Sequence, residues 1–304
     1  MANDALTKIR KLAVLKQNEF LNVSASFAIL RTVFFQKDRK ERRAGLLLNE
    51  VITLKLWEAI PIDQPGIFAC TGAGGKTSLL QTLAKEGRAC YFPVILSTTT
   101  KMFFHQIEKF GPVISNDYDE GAGRIEAQLA AGVSAAWVSF REGDKCLGVP
   151  AQWLDRLAAA NPSSQVLVEA DGARGRMIKV PAAYEPVIPL STAITVGVLN
   201  LQALGQPLDE IVAHRAELVS SLLNKPLGKK LEVLDFAAVA LHEQGIFKNS
   251  RGRKVLLLAG AGAVSHDQIA AVLQGLQRKA AGISRCILTE GYGENMQPLE
   301  VYDL

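Results

Sequence analysis

Thr71-Gly72-Ala73-Gly74-Gly75-Lys76-Thr77-Ser78 stands between the apolar run Gly66-Ile67-Phe68-Ala69-Cys70 and the helical pattern Leu79-Leu80-Gln81-Thr82-Leu83-Ala84-Lys85. A short buried strand, a glycine-rich turn ending in Gly-Lys-Thr, then a helix is the order of a phosphate-binding loop. Glycines let the backbone curl until several N–H groups face one anion. The helix N-terminus adds its partial positive charge. Lys76 can then reach β- and γ-phosphates, and Thr77 offers a hydroxyl to Mg²⁺. Gly72, Ala73, Gly74, Gly75, Lys76, Thr77 and Ser78 are the expected nucleotide contacts. The plainer alternative is a glycine turn with a surface lysine, which leaves the agreement of strand, turn and helix unexplained.

The common form of this loop carries a glycine five positions before Gly75, and Cys70 stands there instead. The loop is the tighter Thr-Gly-x-x-Gly-Lys-Thr variant, which resembles the loop of Mur-type ATP-dependent ligases.

Outward from the loop, short apolar runs alternate with helical patterns. The runs predict strands at Gly66–Cys70, Tyr91–Ser97, Ala135–Phe140, Gln165–Ala170, Ala193–Val198, Lys254–Leu258 and Arg285–Thr289. Helices are expected over Thr77–Lys85, Gly123–Ala131, Ala151–Ala159, Arg215–Leu223, Leu231–Gln244 and Ser265–Ala281. The strands are rich in Val, Ile and Leu on both faces, as a sheet covered by helices on both sides requires. The expected fold is α/β: a doubly wound, mostly parallel sheet of the P-loop NTPase kind. Residues 51–248 read as the nucleotide-binding domain. The polar stretch Lys248–Arg253 sets off 249–304, a small strand–helix–strand unit completing the fold.

Two further segments join the loop. The strand ending at Ser97 runs into Thr98-Thr99-Thr100-Lys101-Met102, and ligands of open α/β sheets collect at such strand ends. Thr99 and Thr100 are therefore candidate contacts for Mg²⁺ or the γ-phosphate, against the alternative of a polar loop. The apolar strand at Gln165 runs into Glu169-Ala170-Asp171-Gly172-Ala173-Arg174-Gly175-Arg176. Carboxylates at the tip of a buried strand suit a Mg²⁺ ligand and a water-polarising group. Asp171 with Thr77 is the expected metal pair, and Lys76, Glu169 and Asp171 the expected catalytic set. Arg174, Arg176 and Lys179 are either partners for the γ-phosphate or another anion, or a solvated basic turn. His214-Arg215 at a helix start reads as surface or capping. His105, His214, His242 and His266 have no metal-ligand spacing, and Ala259-Gly260-Ala261-Gly262 is an incomplete dinucleotide turn.

The 304 residues are 48% hydrophobic and 21% charged, with net charge +4. That charge is local. Residues 1–50 carry ten Lys/Arg against five Asp/Glu, leaving the rest at −1, so the body offers no electrostatic case for nucleic acid. The apolar stretch Phe20–Phe35 is too short and polar to span a membrane. Residues 1–50 read as a basic extension: an interaction arm, a targeting segment, or a start assigned too far upstream, the last favoured because a domain beginning near Val51 needs nothing before it. Cys70, Cys90, Cys146 and Cys286 are scattered, signalling neither zinc nor disulfides and fitting a reducing cytoplasm.

With these motifs in order, the chain resembles the YqeC family, the selenium-dependent (molybdenum) hydroxylase accessory proteins. Lys179-Val180-Pro181-Ala182, Glu185-Pro186-Val187-Ile188-Pro189 and His214-Arg215 add to the likeness, which runs from about Ile62 to the C-terminus. It implies a cytoplasmic nucleotide-binding protein that acts, with Mg²⁺ and ATP or GTP, in the maturation of a molybdenum hydroxylase. Relatives carry an Asn-Lys/Gln-x-Asp-like segment after the strand at Lys254–Leu258. Here Ala259–Gly262 replaces it, with no side chain to read a guanine edge, so ATP is expected over GTP. Two rival functions stand beside a hydrolase: a ligase or small-molecule kinase, and a nucleotide-gated adaptor without turnover.

Overall fold

The computed structural model describes residues 54–304, apart from 63, 90–92 and 278–281. The expectations for residues 1–50, for Tyr91 and for the helix end at Ala281 lie outside the described residues.

Helix α1 (Leu56–Ala59) precedes β1 (Ile67–Gly72), the loop and α2 (Lys76–Ala89). Then come β2 (Val94–Thr98), β3 (Lys101–Phe103), β4 (Pro112–Ile114), α3 (Tyr118–Ala130) and β5 (Ala135–Val138). A hairpin, β6 (Phe140–Glu142) and β7 (Lys145–Leu147), leads to α4 (Ala151–Ala160) and β8 (Gln165–Glu169). Next are β9 (Ile178–Lys179), β10 (Thr192–Asn200), β11 (Ala213–His214), α5 (Ala216–Leu223) and α6 (Val233–Leu241). The chain closes with β12 (Arg253–Ala259), α7 (His266–Gln277), β13 (Ile283–Glu290) and β14 (Gln297–Asp303).

Among the described residues nine strands form one sheet in the order β14-β13-β12-β10-β1-β8-β2-β5-β4. Every pairing is parallel except that of β13 with β14. β1 is buried along its whole length. Its side chains alternate: Phe68 and Cys70 join the core with Leu79, Leu80 and Leu83 of α2, whereas Ile67 and Ala69 face Ile125, Leu154 and Leu157 of α3 and α4. Beyond β10 the second face packs on α5, α6 and α7. Burial on both faces is the reason the strands read as unbroken apolar runs. The fold is thus a doubly wound α/β sheet of the P-loop NTPase type, with the loop at its centre. Among the described residues no helix is long and apolar enough to cross a membrane.

The structure departs from the expected elements in informative places. The helix expected from Gly123 begins at Tyr118, where Asp117 accepts the Glu120 N–H. Gly121 disguises that first turn, and a Cβ there would sit 2.2 Å from the Trp137 ring. The strand expected to Phe140 ends at Val138, and Phe140 opens a hairpin that pairs with β3. The helix expected over Leu231–Gln244 spans only Val233–Leu241, since the chain turns back and Gly245 lies against the Val239 carbonyl. β14, with Pro298, Glu300 and Asp303 on a sheet edge, has the polar pattern of an edge strand.

Candidate functional site

The loop is fixed by the strand beside it. Ala73 N–H donates to the Val198 carbonyl (2.9 Å), and Asn200 Nδ2 donates to the Gly74 carbonyl (2.8 Å). Gly72 has φ +91°, and a Cβ on it would lie 2.1 Å from the Val198 oxygen. No other residue fits there.

Parallel pairing of β1 with β8 and of β8 with β2 puts Cys70 and Thr98 on either side of Glu169. Lys76 is 3% exposed, and its Nζ donates to the Gly72 carbonyl (2.6 Å). The same nitrogen lies 3.1 Å from Asp171 Oδ1 and 3.7 Å from Glu169 Oε1. Burial opposes its charge, but Asp171 and then Glu169 outweigh burial and hold its pKa above the usual lysine value. For Glu169 burial dominates and pushes the carboxyl up, against the pull of Lys76. Thr77 Oγ1 donates to Glu169 Oε2 (3.1 Å). Gly72 N–H donates to Asp171 Oδ2 (3.1 Å). In this state Asp171 and Glu169 hold both the loop backbone and its lysine.

Other expected residues sit differently. Ser78 accepts the Gly293 N–H (3.0 Å), anchoring the turn Gly293–Asn295 over α2. Thr99 Oγ1 donates to the Val187 carbonyl (2.7 Å). The Thr100 N–H donates to Thr98 Oγ1, closing the turn after β2. Arg174 is exposed with φ +49°, and among the described residues neither a hydrogen bond nor an ion pair engages its guanidinium.

Lys179 is fully buried, so the solvated-turn alternative fails for it. Its Nζ bonds Gly172 O (2.7 Å) and Glu185 Oε2 (2.9 Å), and pairs with Asp171 Oδ2 (3.0 Å). Arg215 closes on Glu185 with two bonds, 2.6 and 3.2 Å, and reaches the Tyr184 hydroxyl. Burial raises the Glu185 carboxyl, but the Arg215 and Lys179 hydrogen bonds bring it down to about 2. His214 is 8% exposed rather than a surface residue. Burial, then Arg215 and Lys179, pull it down to about 4, leaving the imidazole neutral at pH 7. Sequence reasoning missed this network. The only signal was the apolar setting of Lys179, between Met177-Ile178 and Val180-Pro181. Asn200 was missed too, although a polar residue closing a long apolar strand marks a strand-end site.

The profile of the family described as YqeC protein matches residues 68–217. The YqeC protein of Escherichia coli (strain K12) is 31% identical over 187 residues, covering 61% of this chain and 72% of that protein. The chain belongs to the YqeC family. Among solved structures, chloroplast FtsY from Physcomitrella patens overlaps 78% of this YqeC-family chain and 63% of its own, at 13% identity and TM-score 0.38. Cell division protein FtsY from Thermotoga maritima overlaps 78% and 65%, at 13% and 0.37. HypB from Helicobacter pylori, in complex with nickel, overlaps 75% and 79%, at 13% and 0.35. The chain thus spans less than two thirds of both FtsY chains. These overlaps are loose, and the fold assignment rests on the sheet order and loop geometry of this chain: a P-loop fold, the architecture of a nucleotide-binding protein.

Proposed function

We propose that this YqeC-family protein is a Mg²⁺-dependent nucleotide hydrolase of the cytoplasm, acting in the maturation of selenium-dependent molybdenum hydroxylases. The observation that carries the reading is the meeting of the Gly72–Thr77 loop with two buried carboxylates at the end of the next strand. The maturation role rests on the family resemblance alone.

The residues fit the metal. Asp171 Oδ1 is buried and meets the Lys76 ammonium at 3.1 Å with no further hydrogen bond, and Thr77 Oγ1 lies beside the Glu169 carboxylate. Mg²⁺ takes few protein oxygens and completes its shell with phosphate and water, which agrees with the absence of a larger ligand cluster among the described residues. Thr77 and Asp171 would hold it, and bound there it neutralises charge on the phosphate oxygens. Lys76 turns from the Gly72 carbonyl to the phosphates, and the Gly74 and Gly75 amides supply further donors, since the Gly72 and Ala73 N–H groups are held by Asp171 and Val198. Glu169 accepts a proton of the attacking water and orients it.

The loop variant favours ATP. One observation favours GTP: a Cβ on Gly262 would lie 2.9 Å from Glu290 Oε2, so a carboxylate from β13, its other oxygen held by Gln297, lies beside the segment that has no acceptor side chain of its own. Carboxylates accept from a donor edge such as that of guanine.

Calorimetry with ATP and GTP in Mg²⁺, on the full chain and on Lys76→Ala checked for folding by its melt, tests the reading. Binding of one nucleotide that the variant loses by at least tenfold supports it. Equal binding by the variant, or none by either, removes it. Turnover that appears only with an acceptor identifies a kinase or ligase; tight binding without turnover identifies an adaptor.

A further inference from the structure

We propose that Arg174 and His214 form a second anion site beside the phosphate loop, which holds a phosphate or carboxylate group of a second substrate. The proposal rests on the loop being the nucleotide site, and its test separates the two.

The placement follows from a two-stranded ribbon. β9 and β11 pair in parallel with His214 opposite Lys179, and residues opposite one another share a face. Lys179 reaches Asp171, Gly172 and Glu185 from that face. His214 therefore projects towards the same Asp171–Arg174 segment. It is 8% exposed, yet no protein group hydrogen-bonds either ring nitrogen. A neutral imidazole carries one donor and one acceptor, and neither His214 nitrogen is among the sealed polar atoms, so both stay open to a ligand.

The charges around His214 do not balance. Arg215, Lys179 and Arg174 act on it as cations and Glu185 as an anion. Glu185 is already engaged by Lys179 and Arg215, and Asp171 by Lys76 and Lys179. Among the described residues Arg174 has no carboxylate partner. Arg174 and Gly175 adopt left-handed φ of +49° and +72° in succession, a conformation that a non-glycine residue rarely takes. The Arg176 N–H closes this turn on the Ala173 carbonyl (2.9 Å), which leaves the Arg174 side chain outside the loop backbone.

A guanidinium fork and an imidazole N–H are donors that recognise an oxyanion. The network also ties this site to the loop: Asp171 Oδ2 takes both the Gly72 N–H and the Lys179 ammonium. A second substrate seated at His214 would lie one ion pair from the nucleotide. Arg174 then serves that anionic partner rather than the γ-phosphate.

The test is histidine-labelled NMR on the full chain, saturated with Mg²⁺ and a non-hydrolysable nucleotide. The four histidines make assignment of His214 direct by its loss in His214→Gln. Inorganic phosphate and acetate are titrated separately at constant ionic strength. Saturable movement of the His214 signals with either anion is expected, and identifies which oxyanion is held. Arg174→Ala should weaken that titration about tenfold, the loss of one charge-assisted contact, with nucleotide affinity unchanged. Still His214 signals with both anions, or equal titration by Arg174→Ala, would overturn the proposal. Should nucleotide fail to bind while phosphate still moves His214, the loop reading falls and the anion site stands.

Discussion

Lys76 is a cation stored among anions. Its ammonium sits between Asp171 and Glu169, and the loop glycine accepts its third contact. Lys179 repeats this on the far side of Asp171. Breaking a buried pair from one side leaves an uncompensated charge, at a cost of about 3–5 kcal/mol. Lys179→Met should therefore lower stability by that order in urea denaturation, and Lys179→Met with Glu185→Gln should lose less than the two single changes summed. An additive result would show that the network is not coupled. His214 gives a pH prediction. Its folded pKa of about 4 lies below the ordinary 6.5, so the unfolded chain binds the proton first as pH falls. Its contribution is whole above 6.5 and is lost between 6.5 and 4. Glu185, with its pKa lowered to about 2, adds a loss below 4.5 with the same sign. Melting of the parent should drop between pH 7 and 5, and His214→Gln should flatten that slope.

Within elements, α3 shows how packing decides what a glycine is for. Gly121 lies under Trp137, which stacks on Trp153 at 5.5 Å and meets Tyr118 at 5.8 Å. Gly123, two residues on, is exposed, and nothing lies within 4 Å of an added Cβ. Gly121→Ala should overpack this cluster and destabilise by about 1–3 kcal/mol. Gly123→Ala should stabilise by about 0.5–1 kcal/mol, since alanine loses less backbone freedom in a helix. Opposite signs in urea denaturation are the expected outcome; equal signs would mean that the helix, not the tryptophan, sets the cost. The glycine at the end of β1 belongs to neither case. Its positive φ and the Val198 carbonyl both exclude a side chain, so Gly72→Ala should abolish nucleotide binding by calorimetry.

For the whole molecule, the relevant fact is that β12, β13 and β14 extend the sheet that carries the loop. Residues 52–304 form one unit. A chain of residues 51–304 is expected to keep a single cooperative melt and bind nucleotide like the full chain; loss of either would show that residues 1–50 contribute to the fold. Nucleotide at a hundred times its Kd should stabilise this unit by about 2.7 kcal/mol, as any ligand of the folded state alone does. Thermal melts with and without Mg²⁺-nucleotide check it.

Most of the sheet was legible because its strands are buried on both faces, so each announces itself locally as a run of Val, Ile and Leu. The loop was legible for a related reason: its glycines and Gly-Lys-Thr end satisfy backbone and phosphate within a few consecutive residues. The edge strand β14 and the hairpin β6–β7 were not, because polar side chains and short length hide a strand whose partners are remote. The ion network was hidden more deeply. Lys179 read as an anion partner or a solvated turn, His214 and Arg215 as surface or capping, and Glu185 only as part of the family likeness; no spacing along the chain links them. Pairing of β9 with β11 sets His214 opposite Lys179, which reaches Asp171 and Glu185, and Arg215 closes on Glu185. The chain's local order determined where a phosphate can be held. What surrounds that place was decided by tertiary structure, since burial and charge balance belong to neighbours in space.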